Sequence, residues 1–258
     1  MSIKFTILGS GSSVGVPRID GFFGNCDPKE IKNYRTRCAA AISINDKNIL
    51  IDTSPDLKSQ LIKNKIKNVE CVFYTHMHAD QTHGINDLRI FYLKSRKKIP
   101  IYADRLTSKY LSRSFNYCFE KNYDGYPASL KLNGLKKIHN FNFKKKKISI
   151  KPIKIKHGSI DCMSYIINSK CAYASDISKI YDKDLKHFYN LDYFVVDCLR
   201  YESHPSHFNL ENVLNLVKKI KPKKTFLTNL NHEMDYKELI RILPKNIKPA
   251  YDGLSFLI

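Results

Sequence analysis

The residues best suited to chemistry in this chain lie together in Thr75-His76-Met77-His78-Ala79-Asp80. They follow a buried-looking strand, Cys71-Val72-Phe73-Tyr74. If the chain stays extended past Tyr74, His76, His78 and Asp80 share one side, because an extended chain alternates faces with period two. Two imidazoles and a carboxylate converging at a strand end are the makings of a metal site. The bland alternative is a solvated polar loop, where His and Asp are common. Further residues of the same types weigh against it. His157 follows the strand-like Ile153-Lys154-Ile155-Lys156, Asp176 follows Ala172-Tyr173-Ala174-Ser175, and His232 lies just past Thr225-Phe226-Leu227-Thr228. Each alone reads as a loop residue. Together with the first three they predict one metal centre assembled from several strand ends.

The elements that must position these residues are short. Strands are predicted at 3–8, 39–44, 49–52 and 71–74, then near 148–155, 163–167, 172–175, 193–197, 225–228 and 250–258. Helices are predicted after Ser54 with Pro55 in the first turn, after Gly84 with Ile85, Leu88 and Tyr92 on one face, over about 107–119, over 210–220 with Asn209 as N-cap, and around 236–242. Adjacent strands early and strand–helix alternation later fit two packed sheets with helices outside. No repeat or linker divides the chain, so residues 1–258 read as a single domain.

Composition bounds the classes. A chain of 258 residues with 43% hydrophobic residues is globular. No apolar run approaches the roughly 20 residues of a membrane helix, and the start, Met1-Ser2-Ile3-Lys4-Phe5, has no signal-peptide core. A soluble cytoplasmic protein with no membrane role is expected. Seven Cys without a CxxC pair argue against a disulfide scaffold, with Cys71, Cys162 and Cys171 as buried thiols. The net charge of +20 suits anionic substrates or nucleic acid, but equally reflects a general preference for Lys. The run Lys144-Lys145-Lys146-Lys147 reads as a solvated turn.

With these motifs in order, the chain resembles the metallo-β-lactamase fold superfamily: a strand ending in Asp52, then His-x-His-x-Asp, then strand-end His, Asp and His. The likeness runs from Gly9-Ser10-Gly11-Ser12-Ser13 to His232. It is nearest to the phosphodiesterase branch typified by phosphoribosyl 1,2-cyclic phosphate phosphodiesterase, through Val14-Gly15-Val16-Pro17, His207-Phe208-Asn209-Leu210 and Leu227-Thr228-Asn229-Leu230-Asn231-His232. The resemblance implies a four-layer αββα sandwich and a metal-dependent hydrolase. It implies one metal, Zn²⁺ or Mn²⁺, on His76, His78 and His157, a second on Asp80 and His232, and Asp176 bridging both. Asp52 would orient the ligand loop rather than touch metal. Two residues are then expected to be catalytic, Asp80 and His207, the latter as general acid toward a leaving alkoxide because it matches the branch's catalytic His. His204 and His83 are weaker candidates. Arg18, Arg35, Arg37 and Arg89 flank the ligand loops as candidate phosphate partners, although each reads as readily as a surface ion-pair residue.

Two departures stand out. The branch pattern continues His-x-His-x-Asp-His, and here Gln81 stands in the last position, a weaker ligand that leaves occupancy of the second site open. The branch's clustered Cys are reduced to Cys26, with Cys38 twelve residues on, too few for a structural zinc. The expected activity is hydrolysis of a small phosphodiester such as a cyclic ribose phosphate. A tRNA 3′-processing endonuclease and a non-catalytic metal-binding module are the alternatives. Nucleic acid is thus a less favoured partner, and the resemblance leaves a homodimer open.

Overall fold

The computed structural model describes residues 3–120, 126–143 and 146–258. The first sheet begins with β1 (Ile3–Gly9), β2 (Ala39–Ile44) and β3 (Lys47–Ile51), joined antiparallel. It continues in parallel through β4 (Cys71–Phe73), β5 (Ile99–Ala103) and β6 (Leu130–Gly134). The chain then builds a second sheet. β7 (His139–Phe143), β8 (Lys146–His157), β9 (Ile160–Ile167) and β10 (Cys171–Ala174) pair antiparallel, and β11 (Lys179–Ile180) returns to β8. β12 (Tyr193–Asp197), β13 (Lys224–Thr228) and β14 (Ile247–Pro249) extend it from β10 in parallel. Finally β15 (Ser255–Leu257) crosses back to pair with β1.

Period-two alternation explains the layering. Phe5, Ile7, Ile42, Ile49, Ile51 and Phe73 point inward and meet Ile148, Ile150, Tyr165, Tyr173, Val195 and Phe226 of the other sheet. The intervening residues Ala41, Leu50 and Val72 face outward against Leu57 and Leu61 of α1 (Leu57–Lys63), Phe91 of α3 (Arg89–Ser95) and Leu111 of α4 (Arg105–Ser114). Between α1 and α3 lies the single turn α2 (Ala79–Thr82), and α5 (Asn116–Phe119) follows α4. On the far side, Phe194, Val196 and Leu227 pack under Val213, Val217 and Ile220 of α6 (Leu210–Ile220) and Leu239 of α7 (Tyr236–Ile242). Helix, sheet, sheet, helix: this is the expected αββα sandwich. Among the described residues no helix is long and apolar enough to cross a membrane.

Several predicted elements shift. The first helix begins at Leu57, not at Pro55, because the Asp56 carboxylate is taken by the backbone and guanidinium of Arg37. The helix predicted over 107–119 is interrupted at Phe115. The last predicted strand, 250–258, divides around a turn in which Gly253 has φ +89° and the Asp252 carboxylate accepts from Ser10 and Thr36. Strands β5, β6, β7, β11 and β14 have no counterpart among the predicted strands. Of the lysine run, Lys146 and Lys147 open β8, while Lys144 and Lys145 lie outside the described residues, as do Met1 and Ser2.

Candidate metal centre

Strand ends deliver almost every polar residue of the site. Asp52 follows β3, and His76 lies three residues past β4. His157 ends β8, Asp176 follows β10, Asp197 ends β12 and Asn229 follows β13. His78 is the N-cap of α2, so the extended reading holds for His76 and His78, whereas Asp80 and Gln81 come off a helical turn.

The donor atoms of His76, His78 and His157 lie within 4.8 Å of one another, as do those of His157, Asp176 and His207. Local hydrogen bonds set the tautomers. Asp52 accepts from the Thr75 amide at 2.8 Å and from its hydroxyl at 2.9 Å. With its proton so committed, the Thr75 oxygen accepts from His76 Nδ1 at 3.1 Å, which leaves His76 Nε2 bare. His157 Nδ1 donates to the Ser206 carbonyl at 2.7 Å, which likewise frees its Nε2. His76 Nε2 and His78 Nδ1 face each other at 2.9 Å, a spacing at which two lone pairs repel unless a proton or a cation stands between them. Burial brings His76 down to about 3 and also lowers His157, keeping both neutral as ligands must be. Three imidazoles with oriented rings and an adjoining carboxylate fit a divalent transition metal.

On the other side of Asp176 the groups are of another kind. Gln81 Nε2 donates to Asp80 Oδ2 at 3.0 Å and to Asp176 Oδ2 at 3.1 Å. Asn229 Nδ2 donates to Asp197 Oδ1 at 3.1 Å and to Asp176 Oδ1 at 3.4 Å. His207 Nδ1 lies 2.7 Å from Asp197 Oδ2 and 3.9 Å from Asp176. Burial alone would pull His207 down, but the Asp197 carboxylate and its hydrogen bond, with Asp176 and Asp80 beyond, raise it to about 9. Burial pushes Asp197 up to about 7, and burial with repulsion from Asp176 does the same for Asp80. Asp176 is pushed up by its own burial, yet His76, His157 and His207 hold it below the usual carboxylate range.

The match to known proteins is specific. The family model described as the β-lactamase superfamily domain matches residues 47–228. A solved diphosphatase of the PhnP family superposes with TM-score 0.88 at 30% identity, covering 100% of this chain and 98% of that one. This chain belongs to the metallo-β-lactamase superfamily. That superfamily is one of metal-dependent hydrolases. Human short-form tRNase Z shares the fold, with TM-score 0.68, 16% identity and 99% of both chains covered. A Porphyromonas gingivalis protein named octanoyltransferase is 31% identical over 99% of this chain, which spans 52% of that protein's length.

The expected ligand His232 has its ring Nδ1 buried without a hydrogen-bond partner. His232 joins neither donor group. Asn229, with φ +60°, follows the strand, and Leu230 then pairs with the Ser10–Ser12 loop. The His232 carbonyl accepts from the Asn25 amide, its ring packs edge-on to Phe22 at 5.3 Å, and a Cβ on Gly24 would meet its carbonyl at 2.5 Å. Arg35, 2% exposed, clamps that loop by donating to the carbonyls of Asn231 at 3.2 Å and Met234 at 2.6 Å. Arg35 is thus structural. Arg18 and Arg37 pair with Asp20 and Asp56, Arg89 lies over the Tyr126 ring at 4.0 Å, and of these Arg37 also acts on the charge of Asp80. His83 is hydrogen-bonded to Tyr110, and His204 to Ser206. All seven Cys are buried free thiols. Asp197 and Asn229 are the site residues that sequence reasoning missed. The signal for Asp197 was a carboxylate ending a buried strand, the same signal that singled out Asp52 and Asp176.

Proposed function

We propose that this chain hydrolyses a small anionic phosphodiester or phosphoric anhydride, with residues 1–258 forming one hydrolase domain. The observation that carries the reading is the His207–Asp197 pair set against the His76, His78, His157 and Asp176 cluster. In this reading those four residues hold a Zn²⁺ or Mn²⁺ ion, and when bound it supplies Lewis-acid polarisation of the phosphoryl oxygen and a more acidic water.

The protein's own groups do the rest. Asp52 and Thr75 fix His76, and the Ser206 carbonyl fixes His157, so the ligand rings need no reorganisation. Asp197 holds His207 by Nδ1, leaving Nε2 to carry a proton toward the departing oxygen. Beside the cluster, a surface hollow lined by Met77, Leu106, Lys109, Tyr110 and Arg113 offers cations for the rest of an anionic substrate. The diphosphatase named among the solved relatives supports an anhydride as readily as a diester.

The second reading is nucleic acid cleavage, favoured by the net charge of +20 and by the tRNase Z likeness. Purified protein supplied separately with Zn²⁺ and Mn²⁺ is to be assayed on bis-p-nitrophenyl phosphate, cyclic ribose phosphates, a dinucleoside diphosphate and precursor tRNA. Turnover of the small substrates without tRNA cleavage is expected. Cleavage of tRNA with none of the small molecules turned over reverses the assignment.

A further inference from the structure

We propose that this chain works with a single metal ion, and that the side-chain amides of Gln81 and Asn229 take the place a second cation would fill between Asp80, Asp176 and Asp197. The inference rests on the hydrolase reading above and deepens it.

Three carboxylates converge here, two of them fully buried, and buried carboxylates need cations or donors around them. The structure supplies two amides instead. Each NH₂ group bridges a pair of carboxylates: Gln81 joins Asp80 to Asp176, and Asn229 joins Asp176 to Asp197. Asp176 therefore has both oxygens occupied on this side, Oδ2 by Gln81 and Oδ1 by Asn229.

Both amides are held by their backbones. Gln81 is fully buried, its carbonyl accepts from Thr53 at 2.8 Å, and its amide donates to His78. Asn229 sits in the left-handed region, which Asn tolerates better than most residues, and this places its side chain beside Asp197. Turning either amide over would set its oxygen against two carboxylates, so the donor orientation follows from the charges around it.

The ligand chemistry agrees. In the position after Asp80, where the branch pattern has an imidazole, a second transition metal would meet the Gln81 amide, whose NH₂ is turned to Asp80 and Asp176. Neutral amide oxygens are weak ligands for Zn²⁺. The two amides neutralise none of the carboxylate charge, and His207 faces both Asp197 and Asp176.

The test counts metal. Metal-free protein is titrated calorimetrically with Zn²⁺ and, in parallel, with Mn²⁺, whose paramagnetic resonance separates an isolated ion from a coupled pair. One tight equivalent and an isolated Mn²⁺ signal are expected for the natural chain, and a second equivalent with a coupled signal for the double variant Gln81→His, Asn229→His. Two tight equivalents of either metal in the natural chain overturn the proposal, as does a folded double variant that still binds only one. If the variant does not fold, the count on the natural chain decides. One metal bound without turnover of any phosphodiester or anhydride would defeat the functional reading and leave this inference standing.

Discussion

At the scale of single residues, the site depends on protons placed by neighbours. His207 is useful because Asp197 fixes its Nδ1, and substitution His207→Ala removes the proton donor without removing a ligand from the imidazole cluster. We expect turnover of a small phosphodiester to fall by about 10²–10⁴-fold, with metal content by mass spectrometry unchanged. Equal loss of metal and activity would make His207 a ligand rather than an acid. Asp52 acts at one remove, through Thr75. Asp52→Ala frees the Thr75 hydroxyl and loosens His76, and metal affinity measured against a chelator should weaken by about 10- to 100-fold. The sequence made Asp52, His76, His78, His157 and Asp176 legible because each is a metal-ligand type at the end of an apolar run. Gln81 was legible only as a departure from a pattern. Asn229 was legible only as part of a motif and not as a site residue, since an amide in a loop looks like any other polar residue.

At the scale of elements, α6 shows why its boundaries could be read. Asn209 and Asn212 cap each other reciprocally, with Asn209 Oδ1 accepting from the Asn212 amide at 2.9 Å, and Lys221 ends the helix in the left-handed region. Caps and an apolar stripe are local signals. Asn209→Ala should lower stability by about 1 kcal/mol in chemical denaturation, and because Asn209 Nδ2 also donates to the Tyr201 carbonyl, the loop bearing His204 and His207 should gain hydrogen exchange. Strands β6 and β7 were illegible for the opposite reason. Each has only one fully buried residue, and nothing in a half-polar segment announces its partner.

Over the whole molecule, buried histidines make stability depend on pH in two opposed ways. His76 has its folded value near 3, below the ordinary 6.5, so the stability it permits is full above pH 6.5 and is lost as pH falls toward 3. His207 is raised to about 9, so its contribution is full below pH 6.5 and is lost as pH rises through 9. Metal-free protein should therefore be most stable between these limbs. Denaturation at a series of pH values should show the alkaline limb flattened in His207→Gln and the acid limb flattened in His76→Gln. An alkaline limb identical in the natural chain and His207→Gln would dissociate His207 from that loss.

The pairing of β15 with β1, and the grip of Asp252 on Ser10 and Thr36, join residues about 240 positions apart. A chain growing from the ribosome makes β1 first and must wait for nearly everything else before that strand's outer edge is covered. Until residues 252–257 emerge, the glycine-rich loop lacks the Asp252 carboxylate that holds Ser10 and Thr36, and the first sheet displays a bare row of amides and carbonyls to any passing strand. The outer edge of β1 is thus covered only by a strand made long after it, and a variant unable to form β15 would leave that seam open.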